Sequence, residues 1–362
     1  MKPEHVTAID APKRVASCSR GGWARAAFAA SILTATALLA GCGNASAKPN
    51  LDGSGSSTAE SGDVDGMASK GSVAVEAKAV HPALPVTVES ADGSVVEVTD
   101  ISRIVVLRGP IAEVVYSLGL GEKVVGRDVS TTFVDADEVP VVTHGHDLSA
   151  ESVMSLRPSV VLADSDSGPP EALAQLRAVG VPVVVFHPVT SIDGIRNHIT
   201  KIAEALGVPA AGKALATRTM KGIEVGAGQV ADLASPPKVA FLYLRGTAGV
   251  YLLGGPGSGA DSMIEAAGGI DVGTEMDLGK AFTPLTSEAL VAAAPEVFLL
   301  TTTGLESVGG MEGLLATPGI AQTPAGRNRR VITIEDGLLY SFGPRTPSVV
   351  KGLASRFAEV ME

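Results

Sequence analysis

Short apolar runs alternate with amphipathic stretches along most of the chain. Ile104-Val105-Val106-Leu107 reads as a buried strand, Arg108-Gly109-Pro110 as a turn, and Ile111 to Leu118 as a helix closed by Gly119, before a further strand at Val124-Val125-Gly126. A second cycle starts at Leu148 and passes through Val160-Val161-Leu162-Ala163. It continues in a helix from Glu171 to Val179, stopped by Gly180, and ends in Pro182-Val183-Val184-Val185-Phe186. Unbroken apolar runs of this length suit strands covered on both faces, and the helices between them act as crossovers, so the pattern predicts an α/β fold with parallel sheet. Ahead of it, Val86-Thr87-Val88-Glu89 and Val95-Val96-Glu97-Val98 flank Asp92-Gly93, a hairpin signal.

Between about Ser191 and Leu233 no strand pattern occurs. Ile192, Ile195, Ile199, Ile202 and Leu206 fall at helical spacing, Gly207-Val208-Pro209 interrupts, and good helix formers follow from Ala211 to Val230. One long or broken helix is expected here, joining two lobes. After Pro236-Pro237 the α/β pattern restarts with Val239-Ala240-Phe241-Leu242-Tyr243. The halves echo each other. Leu148-Ser149-Ala150-Glu151, Pro158 and Val160-Val161-Leu162 are matched by Leu285-Thr286-Ser287-Glu288, Pro295 and Val297-Phe298-Leu299. An internal repeat of this kind suggests related lobes with a cleft between them. The expected organisation is therefore an N-terminal lobe over 83–190, a connecting helix over 191–235 and a C-terminal lobe over 236–362.

The first residues differ in character. A basic opening (Lys2, Lys13, Arg14, Arg20, Arg25) leads into an uncharged run from Ala26 to Ala40, which ends Leu39-Ala40-Gly41-Cys42. That is the order of a signal peptide, and the run is short of the roughly 20 apolar residues of a spanning helix. Leu-Ala-Gly-Cys resembles the bacterial lipobox, so residues 1–41 are expected to be removed and Cys42 to carry lipid. Residues 42–82 are mainly small and polar and read as a flexible tether. The chain has two cysteines, Cys18 and Cys42, which leaves the folded part without a thiol, a disulfide or a Cys metal site. Residues 1–41 hold five of the 28 Lys/Arg and two of the 39 Asp/Glu, so the remainder has 23 against 37, a formal charge of −14. Such an acidic surface argues against nucleic acid and against electrostatic adhesion to anionic lipid. Attachment at the extracytoplasmic face of the cell membrane would come from acyl chains.

Three further stretches bear on function: Thr143-His144-Gly145-His146-Asp147-Leu148-Ser149-Ala150-Glu151, Tyr243-Leu244-Arg245-Gly246, and Ser341-Phe342-Gly343-Pro344-Arg345-Thr346. With them, residues 100–362 resemble the class III substrate-binding proteins of ABC importers, and most closely the haem-binding lipoproteins of bacterial haem importers. The resemblance implies two Rossmann-like α/β lobes joined by a long rigid helix, closing little on a ligand held between them. It implies a monomer that delivers haem b to an ABC permease dimer with its ATPase for iron acquisition, with haem-relay surface proteins as upstream partners.

Haem iron accepts His and Tyr as axial ligands. In the resembled proteins with one axial ligand in the first lobe, a Tyr stands four positions before the Leu of Leu-Ser-Ala-Glu; this chain has His144 there instead. His146, two residues later, competes for the role. Tyr243 ends an apolar run, and Arg245, two residues on, shares its face if the strand continues. A guanidinium beside a phenol favours the phenolate form and with it ferric iron. The two propionates need donors, and Arg108, Arg127 and Arg345 with Ser130, Thr131 and Thr132 are candidates. The echoing Glu151 and Glu288 match the family positions that meet arginines of the permease. Each also suits a first helical turn.

Other signals weaken on inspection. Gly254-Gly255-Pro256-Gly257-Ser258-Gly259 lacks the Lys-Ser/Thr of a phosphate loop and reads as a turn. Asp164-Ser165-Asp166 reads as a polar loop. No Gly-x-Ser-x-Gly or His-Glu-x-x-His occurs, and no nucleophile set points to an enzyme. A ferric-siderophore or cobalamin binder is the main alternative. It would use an aromatic or Arg-rich cleft, which the low aromatic content (4%) argues against. A relay protein that passes haem on without a permease is another.

Overall fold

In the computed structural model, which describes residues 71–75, 80–144, 147–227 and 235–362, the first apolar runs build a parallel sheet. An antiparallel hairpin, β1 (Val86–Glu89) and β2 (Val95–Val98), precedes it. Gly93 in the hairpin turn has a φ of 80°, a conformation glycine adopts without steric penalty. The lobe then runs β3 (Ile104–Val106), α1 (Gly109–Ser117), β4 (Val124–Arg127), β5 (Thr143–His144), β6 (Asp147–Leu148), α2 (Ala150–Ser155), β7 (Val160–Asp164), α3 (Pro170–Ala178) and β8 (Val183–Phe186). The sheet order is β4-β3-β7-β8, with every pairing parallel, while β5 and β6 pair separately.

Alternate residues of these strands serve two cores. Val105, Val161, Ala163, Val183 and Val185 pack with Val153 of α2 and Leu173 and Leu176 of α3. Ile104, Val106, Val160 and Leu162 join Ile111 and Val115 of α1 and the connecting helices on the other face. Both faces are covered, which is why the strands read as continuous apolar runs.

The connection holds two helices, α4 (Ile192–Ala205) and α5 (Pro209–Ala227), broken where Gly207-Val208-Pro209 interrupts the sequence pattern. They pack closely. A Cβ at Gly212 of α5 would overlap the Ala203 Cβ of α4, and residues Gly222 and Gly226 lie against Pro347 of the second lobe.

The second lobe comprises β9 (Lys238–Arg245), β10 (Val250–Gly254), α6 (Ala260–Ala266), β11 (Ile270–Asp271), α7 (Val272–Glu275), β12 (Phe282–Pro284), α8 (Ser287–Ala293) and β13 (Val297–Thr301). It continues with α9 (Thr302–Ser307), α10 (Gly310–Ala316), α11 (Pro324–Arg327), β14 (Val331–Ile334), α12 (Asp336–Leu339) and α13 (Thr346–Met361). Its sheet runs β12-β10-β9-β13-β14, with β11 beside β9. β13 is parallel to both β9 and β14, as the sequence pattern leads one to expect, but β10 is antiparallel to β9 and β12. Only Gly246 to Gly249 separate β9 from β10, too few residues for a crossover, so the chain turns back on itself.

The sequence echo is a structural repeat. Ser149 and Thr286 cap α2 and α8, accepting from Ser152 N at 3.2 Å and Ala289 N at 3.3 Å. Arg157 and Ala294, each directly before its proline, both take left-handed backbone, with φ of 48° and 47°. The prolines then lead into β7 and β13, which lie beside β3 and β9.

Candidate functional site

Strand β9 carries its buried residues through Leu242, and then its outer face opens. Tyr243 and Arg245 are half-buried while Leu244 between them is buried against the second-lobe core. This is the period-2 alternation of a strand that continues to Arg245, and it puts the two candidate residues on one face. The Arg245 guanidinium carbon stands 4.5 Å from the centre of the Tyr243 ring, cation over π-face. Phe282 of β12 packs on the same tyrosine at 5.5 Å between ring centres.

The carboxyl ends of β9, β13 and β14 gather a polar set around this pair. Arg245 Nη2 lies 3.0 Å from Asp336 Oδ1, at the start of α12, and Thr303 Oγ1 of α9 donates to the same carboxylate. Tyr340 follows α12. Its hydroxyl is buried with no hydrogen-bond partner among the described residues, and burial above all, then neighbouring Tyr243 and Asp336, pushes its ionisation far up. Such a set at the carboxyl edge of a parallel sheet is where open α/β sheets bind ligands.

His144 lies on β5, opposite Asp147 of β6. His146 and Cys42 are outside the described residues. Glu151 and Glu288 are exposed in the first turns of α2 and α8, one on each lobe.

Several expected propionate partners are occupied by the protein itself. Arg127 donates to the carbonyls of Thr131 at 2.8 Å and Val139 at 3.1 Å, pinning the loop after β4. Within that loop Asp128 accepts from Ser130 and from Thr131 Oγ1, and Thr132 Oγ1 donates to Glu335 of the second lobe at 3.1 Å. Arg108 pairs with Asp164 at 2.9 Å. Arg345, in the Ser-Phe-Gly-Pro-Arg-Thr stretch, reaches Glu113 of α1, whose Oε1 accepts from its Nε at 2.6 Å and its backbone N at 3.0 Å. That stretch is therefore a join between the lobes. Neither Glu113 nor Asp336 stood out in the sequence, because each meets its arginine only through the tertiary fold.

The signals read as turns behave as turns. Asp261 accepts from the backbone N–H groups of Gly257 and Gly259, so a carboxylate of the chain itself fills that cradle. Asp164 accepts from Asp166 N and from Ser167 Oγ. Among the described residues no group of three or more His, Cys, Asp or Glu could hold a metal ion, and no helix is long and apolar enough to cross a membrane. A cavity of about 580 Å³ lies between β1, the end of β8 and α4, and neither Tyr243 nor Arg245 lines it.

The chain is similar in structure to the haem-binding protein HmuT, 38% identical, with 79% of this chain and 94% of that one covered and a TM-score of 0.74. Single alanine variants of HmuT have been crystallised at a histidine, at a tyrosine 99 positions later, and at an arginine two beyond that. The intervals between His144, Tyr243 and Arg245 are the same. In sequence the chain is 26% identical to the ABC transporter substrate-binding lipoprotein YvrC of Bacillus subtilis, over 91% of this chain and 96% of that one. It is 25% identical to a cobalamin-binding protein of Halobacterium salinarum, over 75% of this chain and 74% of that one. A family model described as periplasmic binding protein matches residues 104–338, and the chain belongs to that family, whose members are the substrate-binding components of ABC importers.

Proposed function

We propose that this protein binds haem outside the cytoplasm and delivers it to an ABC importer, with His144 and Tyr243 as axial ligands. The observation that carries the reading is the Tyr243–Arg245 pair. A half-buried phenol under a guanidinium is suited to ferric iron, because the cation offsets the negative charge that the oxygen brings to the bond. Haem brings four ligands of its own and asks the protein for one or two more, which a histidine and a tyrosine can supply. The equal spacing with the substituted histidine, tyrosine and arginine of HmuT supports the same three residues. His146 is the alternative first-lobe ligand. Arg127 and Arg345 are the candidates for the propionates, and each would have to share its present partners. Cys42 would carry the lipid anchor, in keeping with the lipoprotein relative, and Glu151 and Glu288 would face the permease.

The test is a haemin titration of residues 43–362 followed by absorption, with wild type beside His144→Ala, His146→Ala and Tyr243→Ala. A stoichiometric Soret band whose position shifts in His144→Ala and Tyr243→Ala is the expected result. If only His146→Ala among the histidine variants shifts it, His146 is the ligand. No saturable change in wild type overturns the haem reading. The Halobacterium salinarum relative favours one second reading, cobalamin, and cyanocobalamin titrated in parallel tests it.

A further inference from the structure

The surroundings of Arg245 carry a further assignment, which rests on the reading of Tyr243 as a haem ligand. An arginine side chain has many rotamers, and holding one over a ring costs conformational entropy unless something else fixes it. Asp336 does so. Its Oδ1 is 3.0 Å from Arg245 Nη2, while Arg245 Nη1 donates to the carbonyl of Leu244 at 2.8 Å, so both ends of the fork are engaged. Asp336 is itself held, because Thr303 Oγ1 lies 2.7 Å and 2.8 Å from its two carboxylate oxygens. The short helix that Asp336 opens is seated against the other lobe. Glu335 accepts from Thr132, and a Cβ on Gly337 would overlap Thr132 Oγ1.

We propose that Asp336 is a positioning residue for the ligand: it holds the Arg245 guanidinium over the Tyr243 ring, ready for the negative charge that the phenol oxygen carries to ferric iron. The two side chains of the pair are 33% and 29% exposed, so the pair is worth little as a surface salt bridge and its contribution is orientation. One flank of the group is closed off from solvent, since the Tyr340 hydroxyl beside it is buried. A fixed cation at such a boundary acts with less screening than one in open water.

The experiment compares wild type, Asp336→Asn, Arg245→Ala and the double variant by haemin titration, by the midpoint potential of the bound iron and by urea unfolding. Asp336→Asn is expected to weaken haemin binding about tenfold, the size of one lost orienting contact. It should also raise the potential, because a less stabilised phenolate favours ferric iron less. The double variant should bind no more weakly than Arg245→Ala alone. Unchanged binding and potential in Asp336→Asn overturn the proposal while leaving the haem reading intact. So does a loss that persists in the Arg245→Ala background, since Asp336 would then act on folding and not through Arg245. Absence of saturable haemin binding in wild type overturns both.

Discussion

Glu113 of α1 and Arg345 ahead of α13 form a buried ion pair between the lobes, with the carboxylate side chain 0% and the guanidinium side chain 9% exposed. Residues 232 positions apart in the chain are thus held within 2.6 Å, and the glycine next to the motif's proline makes room for it. A Cβ on Gly343 would stand 2.9 Å from Glu113 Oε2. Removing one member of a buried pair leaves the other charge desolvated. Glu113→Ala is expected to lower the unfolding free energy by about 3–5 kcal/mol, while an apolar replacement of both residues costs much less. Urea unfolding of the single and double variants measures the difference.

The same carboxyl should be visible in the pH dependence of stability. Burial pushes the Glu113 ionisation up to about 6 from 4.5, against the opposing pull of Arg345. Between these values the folded state holds the proton more than the unfolded state does. The Glu113 contribution is therefore full below about 4.5 and is lost as pH rises through 6. A Glu113→Gln variant should lack that fall, which unfolding at a series of pH values would register.

His198 works in the opposite direction. It is buried on α4, its Nε2 has no hydrogen-bond partner among the described residues, and burial holds its ionisation down at about 4 against the ordinary 6.5. The unfolded chain takes up the proton first, so this contribution is present above 6.5 and is lost as pH falls toward 4. Between 4.5 and 6 the two groups offset each other, and the wild-type profile alone will look flatter than either contribution. His198→Phe should remove the acid-side loss and expose the Glu113 slope. A profile that keeps the same acid-side loss in His198→Phe would assign it to other groups.

Local pattern carried a good deal of this fold. The parallel strands, the hairpin around Asp92-Gly93, the helix break at Gly207-Val208-Pro209 and the repeat at a constant offset of 137 positions all follow from period, turn chemistry and spacing. The reversal of β10 did not, because a strand that turns back and one that crosses over share the same apolar pattern. The arginines show the limit for side chains. Arg127 and Arg345 looked available for propionates, since nothing near them in sequence betrays the carbonyls and the carboxylate that engage them. Arg245 could be paired with Tyr243 from the strand period alone, but Asp336, 91 positions further on, leaves no local trace.

The helix break is functional in packing terms as well. Gly212 lets α5 cross α4 at Ala203, where any β-carbon would overlap the alanine methyl. Gly212→Val is expected to destabilise the protein by about 1–3 kcal/mol through overpacking, with haemin affinity at low denaturant little changed. A shift in the urea midpoint without a change in slope would mark the effect as stability alone.

The last prediction concerns the two exposed glutamates. Glu151 and Glu288 occupy the same place in the repeat, each in the first turn of a helix capped by Ser149 or Thr286, each followed by a left-handed residue and a proline. A first-turn glutamate gains from the helix dipole only a few tenths of a kcal/mol up to about 1 kcal/mol. Loss of that contribution in Glu151→Ala and Glu288→Ala should scarcely move the unfolding midpoint and should leave haemin binding unchanged. If the pair also docks the permease, as proposed, the two variants should slow haemin-dependent uptake in cells, and the double variant should slow it further. Exposed charges act mainly on encounter rate and register, so raising salt in the transport assay should slow wild type more than the double variant and narrow the gap between them. Normal uptake by the double variant would leave the helix dipole as the whole role of these residues.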